Sequence, residues 1–346
     1  MKYLLVLGLP ALALTLACGT HTSQPSAQSG PAASLAFAPA HMTYAIVGYS
    51  WNVVPQLVAQ QRGFFSKRGL TVEYTVSGQS ASSCQQVLAK AVELAECSLN
   101  DMVQADEQGG AHLVEVMNQT TTALQYGLMA KAGINSWADL KGRTLIIGGP
   151  KDNTAYYLHV MARANGLKDS DYNLQFAGAS SARFAALKSG AVDAAILSDP
   201  TFTQAALGGY KTLDTLIPKY LNAGNYAGGG PVILPDWAKA HPDIVERYIA
   251  GLLEANQWIY DPANKPALFD TVHEKLNLDQ AAFDQTYKNT VLDSKQWSVD
   301  GKVDEAAMTG VLKGLVDLGS LKEPLPPASK YYDTTYLAAA LKLLGR

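Results

Sequence analysis

The chain has 346 residues, enough for two domains of ordinary size, and 48% of them are hydrophobic. Charged residues make up 16%, the formal net charge is −3, and no basic run is present, which argues against a nucleic-acid partner. Beyond the N-terminus no apolar stretch reaches membrane-spanning length. The composition therefore indicates a globular protein with enough apolar residues for two cores.

Residues 1–18 are predicted to be a targeting segment, with Lys2 as its positive region and residues 4–16 as its short apolar region. Leu-Thr-Leu-Ala-Cys at residues 14–18 resembles a bacterial lipobox, although Thr15 stands where leucine is usual. The resemblance implies that Cys18 carries a lipid and becomes the mature N-terminus. The alternative is an ordinary secretory signal cut nearby, with Cys18 lost. Both place the protein in the periplasm or on the outer face of the cytoplasmic membrane.

Residues 19–41 are rich in Ser, Gly, Pro, Ala and Gln, which is the composition of a flexible tether. Such a tether suits a protein held at a membrane by its N-terminal lipid. The two remaining cysteines, Cys84 and Cys97, are predicted at matching heights on a helix and the strand that follows it, so a disulfide is possible in an oxidising compartment. Two buried free thiols are the alternative.

The first lobe is predicted from alternating strands and helices. Its strands are expected at residues 43–48, 70–76, around 95 and at 113–118. Its helices are expected at residues 55–63, after a polar turn at 77–82, and from residue 100. Backbone N–H groups at such polar helix starts point toward whatever occupies a crevice.

The second lobe follows an apolar crossing at residues 124–131. Its strands are predicted at residues 144–147, 174–176 and 194–197. Its helices are predicted at residues 136–142, after the glycine-rich turn that begins at 148, at 182–188 and at 201–207. Residues 222–231 return the chain to the first lobe, and the pattern is helical from residue 236. We expect lobe 1 to comprise residues 42–125 and 223–346, lobe 2 to comprise residues 126–222, and a hinge to form at the two crossings.

One unit occurs twice in the chain. A helix end, a short apolar strand and a polar loop at residues 185–202 are repeated more weakly about a hundred residues upstream, at residues 88–101. In open α/β sheets, ligands bind at the carboxyl ends of strands. Two similar lobes with facing polar loops therefore predict a protein that closes on a small-molecule ligand.

Several motifs, in order and spacing over residues 43–260, resemble the substrate-binding proteins of bacterial ABC importers for nitrate, sulfonates, taurine and thiamine precursors. They are Gly-Phe-Phe at 63–65, Gly-Leu-Thr-Val-Glu at 69–73, Asp-Leu-Lys-Gly at 139–142, the stretch 186–194 and His-Pro-Asp at 241–243. The resemblance implies an α/β type 2 periplasmic binding protein fold, with a mixed sheet and flanking helices in each lobe. It also implies a permease as partner. The turn before Glu93 departs from the family, which usually has a glycine there.

Seven residues at predicted strand ends or helix starts are the candidate ligand contacts: Trp51, Asn52, Ser80, Asn100, Thr154, Tyr156 and Asp199. Trp51 is either a core residue or a stacking wall for the ligand. Asp199 either binds the ligand or caps the helix that begins at Thr201. N-capping alone would explain Ser80 or its neighbour Ser82.

No catalytic motif, metal site or cofactor site stands out, and we expect a monomeric binding protein, not an enzyme. The alternatives are an enzyme of thiamine-pyrimidine synthesis, which in this family carries a cysteine cluster that is absent here, and a ligand-sensing module. The predicted loops contain Asp101, Asp152 and Asp199 but only Lys151 as a cation. They favour a polar ring such as an aminopyrimidine, without excluding a sulfonate or a carboxylate.

Overall fold

The computed structural model describes residues 37–107, 109, 112–121, 126–215 and 229–346. The signal segment, Cys18, most of the tether and most of the return crossing lie outside these ranges. Strand β1 begins at Ala40, so the last two residues assigned to the tether belong to the sheet instead. In the described part of the chain, no helix is both long enough and apolar enough to cross a membrane.

The first sheet has five strands in the order β2-β1-β3-β10-β4. They span Ala40–Ile46 (β1), Leu70–Val76 (β2), Leu94–Glu96 (β3), Val114–Glu115 (β4) and, after the second lobe, Pro231–Ile233 (β10). Strand β1 is parallel to both β2 and β3, whereas β10 runs antiparallel between β3 and β4. The sheet is therefore mixed.

The second sheet has the matching order β7-β6-β8-β5-β9. Its strands span Gly127–Ala130 (β5), Thr144–Ile147 (β6), Asn173–Phe176 (β7), Ala194–Leu197 (β8) and Lys211–Thr215 (β9). Strand β6 is parallel to β7 and β8, and β5 is antiparallel to β8 and β9. The two sheets thus share one topology, with strands of the second lobe repeating those of the first.

Helices flank both sheets. Those of the first half are Val54–Gln61 (α1), Ser80–Leu88 (α2), Leu99–Glu107 (α3), Asn153–Ala164 (α4), Ser180–Lys188 (α5) and Thr201–Leu207 (α6). Those of the C-terminal part are Pro235–Ala240 (α7), Pro242–Ile259 (α8), Lys265–Leu276 (α9), Gln280–Tyr287 (α10), Glu305–Asp317 (α11) and Leu337–Leu343 (α12). Short 3-10 turns, among them Trp51–Val53 and Trp137–Leu140, and a π-helical turn at Lys288–Asp293 complete the described elements.

The cores lie between each sheet and its helices. In the first lobe, α8 buries one apolar face against α1 and strand β2, and residues such as Tyr248, Ile249 and Leu252 are fully enclosed. Strand β3 and helices α2, α3 and α11 form a second cluster on the other face of the same sheet. The second sheet is likewise covered on both faces. Burial on both faces explains why the inner strands are short runs of apolar residues.

The turn before β3 forms in spite of its missing glycine. Lys90 adopts a left-handed backbone (φ 58°) at the position where the second lobe has Gly190 (φ 77°). The Lys90 N–H donates to the Val87 carbonyl, and the Gly190 N–H donates to the Leu187 carbonyl in the same way. The turn before β3 therefore matches its counterpart in the second lobe, with a lysine in the strained conformation instead of a glycine.

Helix α2 and the end of β3 lie side by side, as the predicted heights require. The structure pairs Cys84 with Cys97, and their Cα atoms are 5.4 Å apart, within the range of disulfides. Both residues are buried in the cluster that covers the outer face of β3. A bridge here fastens α2 to the strand whose end enters the candidate site.

Candidate ligand-binding site

A cavity of 580 Å³ lies between the two sheets, at the carboxyl ends of β1, β3, β6 and β8. It is lined by loops of both lobes and by one face of α11. This is where an α/β protein gathers polar groups around a ligand. Six of the seven candidate residues line it: Asn52, Ser80, Asn100, Thr154, Tyr156 and Asp199.

Two serine pairs build the same support on each side of the cavity. The Ser98 N–H donates to Ser80 Oγ at 2.9 Å, and the Ser198 N–H donates to Ser180 Oγ at 3.0 Å. Each bond ties the start of a helix to the loop after the neighbouring strand. Ser80 therefore does not act as a side-chain N-cap, since Gln79 occupies that position without a capping bond. Its hydroxyl fixes the shape of the cavity wall.

Trp51 does not line the cavity, so the stacking role considered for it is wrong. Its side chain is 1% exposed and packs among Phe283 and Trp297, with ring centroids 6.1 and 5.9 Å away. The 3-10 turn at Trp51–Val53 directs the indole into the first lobe's core and leaves the next residue, Asn52, at the cavity. Adjacent residues of this turn therefore face different ways, with Trp51 in the core and Asn52 at the cavity.

Asn52 and Asn100 bring amide groups from the first lobe. The Asn52 side chain hydrogen-bonds Glu96, a carboxylate at the end of β3 that also accepts the Val47 N–H at 3.0 Å. Asn100, in the first turn of α3, is 3% exposed. Among the described residues its Nδ2 has no hydrogen-bond partner. A buried, unpaired donor is costly, so Asn100 Nδ2 marks an unsatisfied position in the cavity wall.

Thr154 holds the second lobe's loop instead of offering a free hydroxyl. Its Oγ1 donates to Asp152 Oδ1 and accepts the Gly148 N–H, both at 2.7 Å. Asp152 is the N-cap of α4, because the same carboxylate oxygen accepts the N–H groups of Thr154 and Ala155. One turn along α4, Tyr156 reaches across the cavity to α11, where its hydroxyl lies against Gly314. Tyr156 therefore forms part of the cavity wall on the side of the second lobe.

Asp199 divides its two carboxylate oxygens between two environments. Oδ1 accepts the N–H and the hydroxyl of Thr203, at 3.2 and 2.7 Å, and so caps α6. Oδ2 is buried and has no partner among the described residues. Asp199 therefore satisfies an N–H group in the first turn of α6, and its second oxygen is an unsatisfied acceptor in the wall of the cavity. Burial raises the pKa of Asp199 to about 7, against the lowering effect of the Thr203 bonds.

Arg183 was missed by the sequence interpretation, which counted cations only in the loops. It lies within α5, is 2% exposed and reaches back to the cavity. Its Nε donates to the Ile196 carbonyl at 2.6 Å, and its Nη1 donates to the carbonyls of Ala177 and Gly178. Lys151, the cation that was predicted, is exposed and does not line the cavity.

The lining is acidic. Burial raises the pKa of Glu96 and of Asp152, with hydrogen bonds to each carboxylate acting in the opposite sense. Burial also lowers the pKa of Arg183, while Tyr126 and Asp152 oppose that shift. Within the described ranges, no three His, Cys, Asp or Glu side chains converge on a common metal position. The chemistry on offer is hydrogen bonding and charge pairing in an enclosed, partly aromatic space.

The lobes touch at several points around this cavity. The Trp51 N–H donates to the Asp199 carbonyl at 3.3 Å, and Gln104 Nε2 donates to the Lys151 carbonyl at 2.8 Å. The closest approach joins the loops after β2 and β7. A Cβ atom on Gly178 would collide with the Gly78 carbonyl oxygen. The lobes are thus in direct contact, in part through main-chain atoms.

The comparisons with known proteins agree with this geometry. The model of the NMT1/THI5-like family matches residues 50–265. No curated protein matches the chain significantly. Among solved structures, the alkanesulfonate-binding protein SsuA of Xanthomonas axonopodis pv. citri, bound to MOPS, is similar at 17% identity and a TM-score of 0.70, covering 86% of this chain and 99% of that one.

Two further structures share the arrangement. The periplasmic nitrate-binding protein NrtA of Synechocystis PCC 6803 has 13% identity and a TM-score of 0.73, covering 88% of this chain and 89% of its own. The desulfurization enzyme DszB has 16% identity and a TM-score of 0.62, covering 88% and 99%. Identities this low show the fold alone. The predicted fold is confirmed as the two-lobed α/β fold of periplasmic binding proteins.

Proposed function

The chain belongs to the NMT1/THI5-like family, and from this membership and its cleft we propose that it is the extracytoplasmic solute-binding component of an ABC importer. The observation that carries the proposal is the cavity of 580 Å³, lined from both lobes by polar groups at strand ends. A cavity of this size fits a small organic solute. The solute would be delivered to the transmembrane subunits of a permease.

Binding is proposed to proceed by closure of the lobes around the solute. The lobes are proposed to be residues 42–125 with 223–346 and residues 126–222, and the separation of the strands into two sheets supports this division. Closure brings Asp199 and Tyr156 of the second lobe toward Asn52 and Asn100 of the first. A solute that contacts both lobes binds the closed form more tightly than the open form and therefore stabilises the closed form.

Solute binding is tested by a thermal-shift screen of sulfonates, nitrate, aromatic carboxylates and aminopyrimidines on the mature protein. A tight binder raises stability by ~2.7 kcal/mol at a hundred times its dissociation constant. Asn100→Ala and Asp199→Ala should each weaken that binder about five- to a hundredfold, because each removes a buried hydrogen bond.

The matched control for these variants is Glu274→Ala, which changes an exposed residue of α9 and should leave the affinity intact. If all three variants bind the solute as tightly as the wild type does, the solute does not bind in this cavity.

An enzyme is the second candidate, because DszB shares the fold. The two functions differ in what happens to the bound molecule. Incubating the mature protein with its tightest binder and recovering that molecule unchanged by mass spectrometry supports a binding protein. Recovery of a modified product, at a rate that depends on protein concentration, supports an enzyme.

Attachment to the membrane is proposed to occur through a lipid on Cys18, with the protein acting as a monomer on the outer face of the cytoplasmic membrane or in the periplasm. The lipobox-like residues 14–18 and the composition of residues 19–41 support this. Labelling cells with a lipid precursor tests it. Label should enter the wild-type protein and be lost in Cys18→Ala, whereas an unlabelled wild type contradicts the anchor.

A further inference from the structure

The chemical class of the solute follows from the charges that enclose the cavity, and this step rests on the proposed binding function. Three carboxylates that are buried or only partly exposed line the cavity: Glu96, Asp152 and Asp199. They come from both lobes, since Glu96 ends β3 and the other two follow β6 and β8. Glu96 and Asp152 are partly exposed, so a molecule in the cavity can reach them.

Positive charge does not balance these carboxylates in the part of the chain that the structure describes. Arg183 is the one buried lysine or arginine in the lining, and it already serves three carbonyl groups. Arg163, Lys313 and Asp317 also line the cavity but are exposed to solvent, where their charges are screened. With all groups ionised, three carboxylates and one guanidinium leave the enclosed lining at −2.

The protein's own carboxylates also occupy positions where an anion would otherwise bind. Helix starts attract anions through their free N–H groups. At α4, the N–H groups of Thr154 and Ala155 donate to Asp152, and the Thr203 N–H of α6 donates to Asp199. Among the described residues no carboxylate caps α2 or α5, so these two helix starts are where an anion would bind if the cavity accepted one.

Two buried groups add a second, independent indication of a ligand. Asp199 Oδ2 is an unpaired acceptor on the second lobe, and Asn100 Nδ2 is an unpaired donor on the first, both within the described residues. Tyr126 and Tyr156 contribute aromatic surface between them, which suits a flat or cationic group. A molecule that donates to carboxylates on both lobes and accepts from Asn100 satisfies what the closed protein leaves unpaired.

We propose that the solute is a small organic cation, an amine or amidine whose N–H groups bind carboxylates of both lobes, and not a sulfonate or nitrate. A positive charge offsets the negative charge of these carboxylates, whereas an anion would add to it. The proposed solute therefore differs in charge from the solutes named for the alkanesulfonate- and nitrate-binding proteins that share the fold.

Calorimetric titration of the mature full-length protein tests this with two planar probes of the same shape and opposite charge, benzamidine and benzoate. Agmatine extends the first class, and MOPS and nitrate extend the second. We expect binding of at least one probe of the first class and none of the second. Binding confined to MOPS, nitrate or benzoate overturns the cation proposal and leaves the solute-binding function standing. Absence of binding by every probe counts against both.

Charge-neutralising variants separate the two classes by sign. Glu96→Gln should weaken the bound cation about ten- to a hundredfold, because it removes a charged hydrogen-bond acceptor. An anionic ligand would instead bind more tightly to Glu96→Gln, which contradicts the proposal. The control Glu274→Gln, on the outer surface, should leave the affinity unchanged. Circular dichroism of each variant confirms that the lobes remain folded.

Discussion

Replacing Asp199 with asparagine should make the protein's stability less dependent on pH. Asparagine has nearly the shape of aspartate, and its amide oxygen can keep both bonds to Thr203. What the substitution removes is a carboxylate whose second oxygen is buried and, among the described residues, unpaired. The variant therefore tests the cost of that charge without opening a cavity.

The magnitude follows from the pKa of Asp199, which burial raises from 3.8 to about 7 in the folded chain. A folded pKa above the unfolded value means that the folded state holds its proton more firmly. The associated stability is complete below pH 3.8 and is lost as pH rises toward 7. At about 1.4 kcal/mol for each pKa unit, the loss between pH 5 and pH 8 is about 3 kcal/mol.

Urea unfolding followed by circular dichroism at pH 5, 6.5 and 8 measures this effect. The difference in free energy of unfolding between Asp199→Asn and the wild type should shift in the variant's favour by about 3 kcal/mol from pH 5 to pH 8. Asp236→Asn, at an exposed position in the first turn of α7, is the control and should show no such shift. A constant difference at all three pH values would refute the reasoning.

Three further predictions concern the frame around the site. Lys90→Gly should raise the free energy of unfolding by about 0.5–1 kcal/mol, because glycine adopts the left-handed turn without strain; an unchanged urea midpoint contradicts this. Cys84 and Cys97 should be oxidised in the exported protein, at about 3 kcal/mol of stability by chain entropy; two reactive thiols in the denatured, unreduced chain would refute the bridge. Gly178→Ala should disfavour closure of the lobes by about 1–3 kcal/mol, and X-ray scattering should show a larger radius of gyration. The control is Gly48→Ala, whose Cβ would lie 3.7 Å from Ala179, and its radius should not change. Equal radii for the two variants would disprove the close approach.

The elements that sequence reasoning located best are those bounded by strong local signals. Strands β6 and β8 and helix α6 begin and end at the predicted residues, because short apolar runs there stop at glycine, proline or polar residues. Strand β9 was missed since Lys-Thr-Leu-Asp-Thr has no apolar run, and it exists through pairing with β5. The predicted strand at 113–118 is only Val114–Glu115. Pairing partners, which the local pattern does not contain, decide such edges.

The site shows the same division. Its location at strand ends followed from the alternating pattern, and six candidates line the cavity. The direction of a side chain within a turn or helix did not follow from that pattern. Trp51 turns inward from a 3-10 turn, and Arg183 reaches the cavity from inside α5. Both depend on packing between elements distant in the chain.

The loops that carry Gly78 and Gly178 can meet only when the bound solute fits within the cavity. The contact is between the backbones of Gly78 and Gly178. A change of side-chain rotamer there cannot make room for a larger solute. A molecule slightly too large for the cavity can still bind one lobe, but it keeps the two loops apart. If the protein serves a permease, as proposed, and that permease recognises only the form with the two loops in contact, such a molecule binds without being transported. Analogues enlarged by one methyl group at a time would then act as competitive inhibitors of uptake, with a sharp size limit.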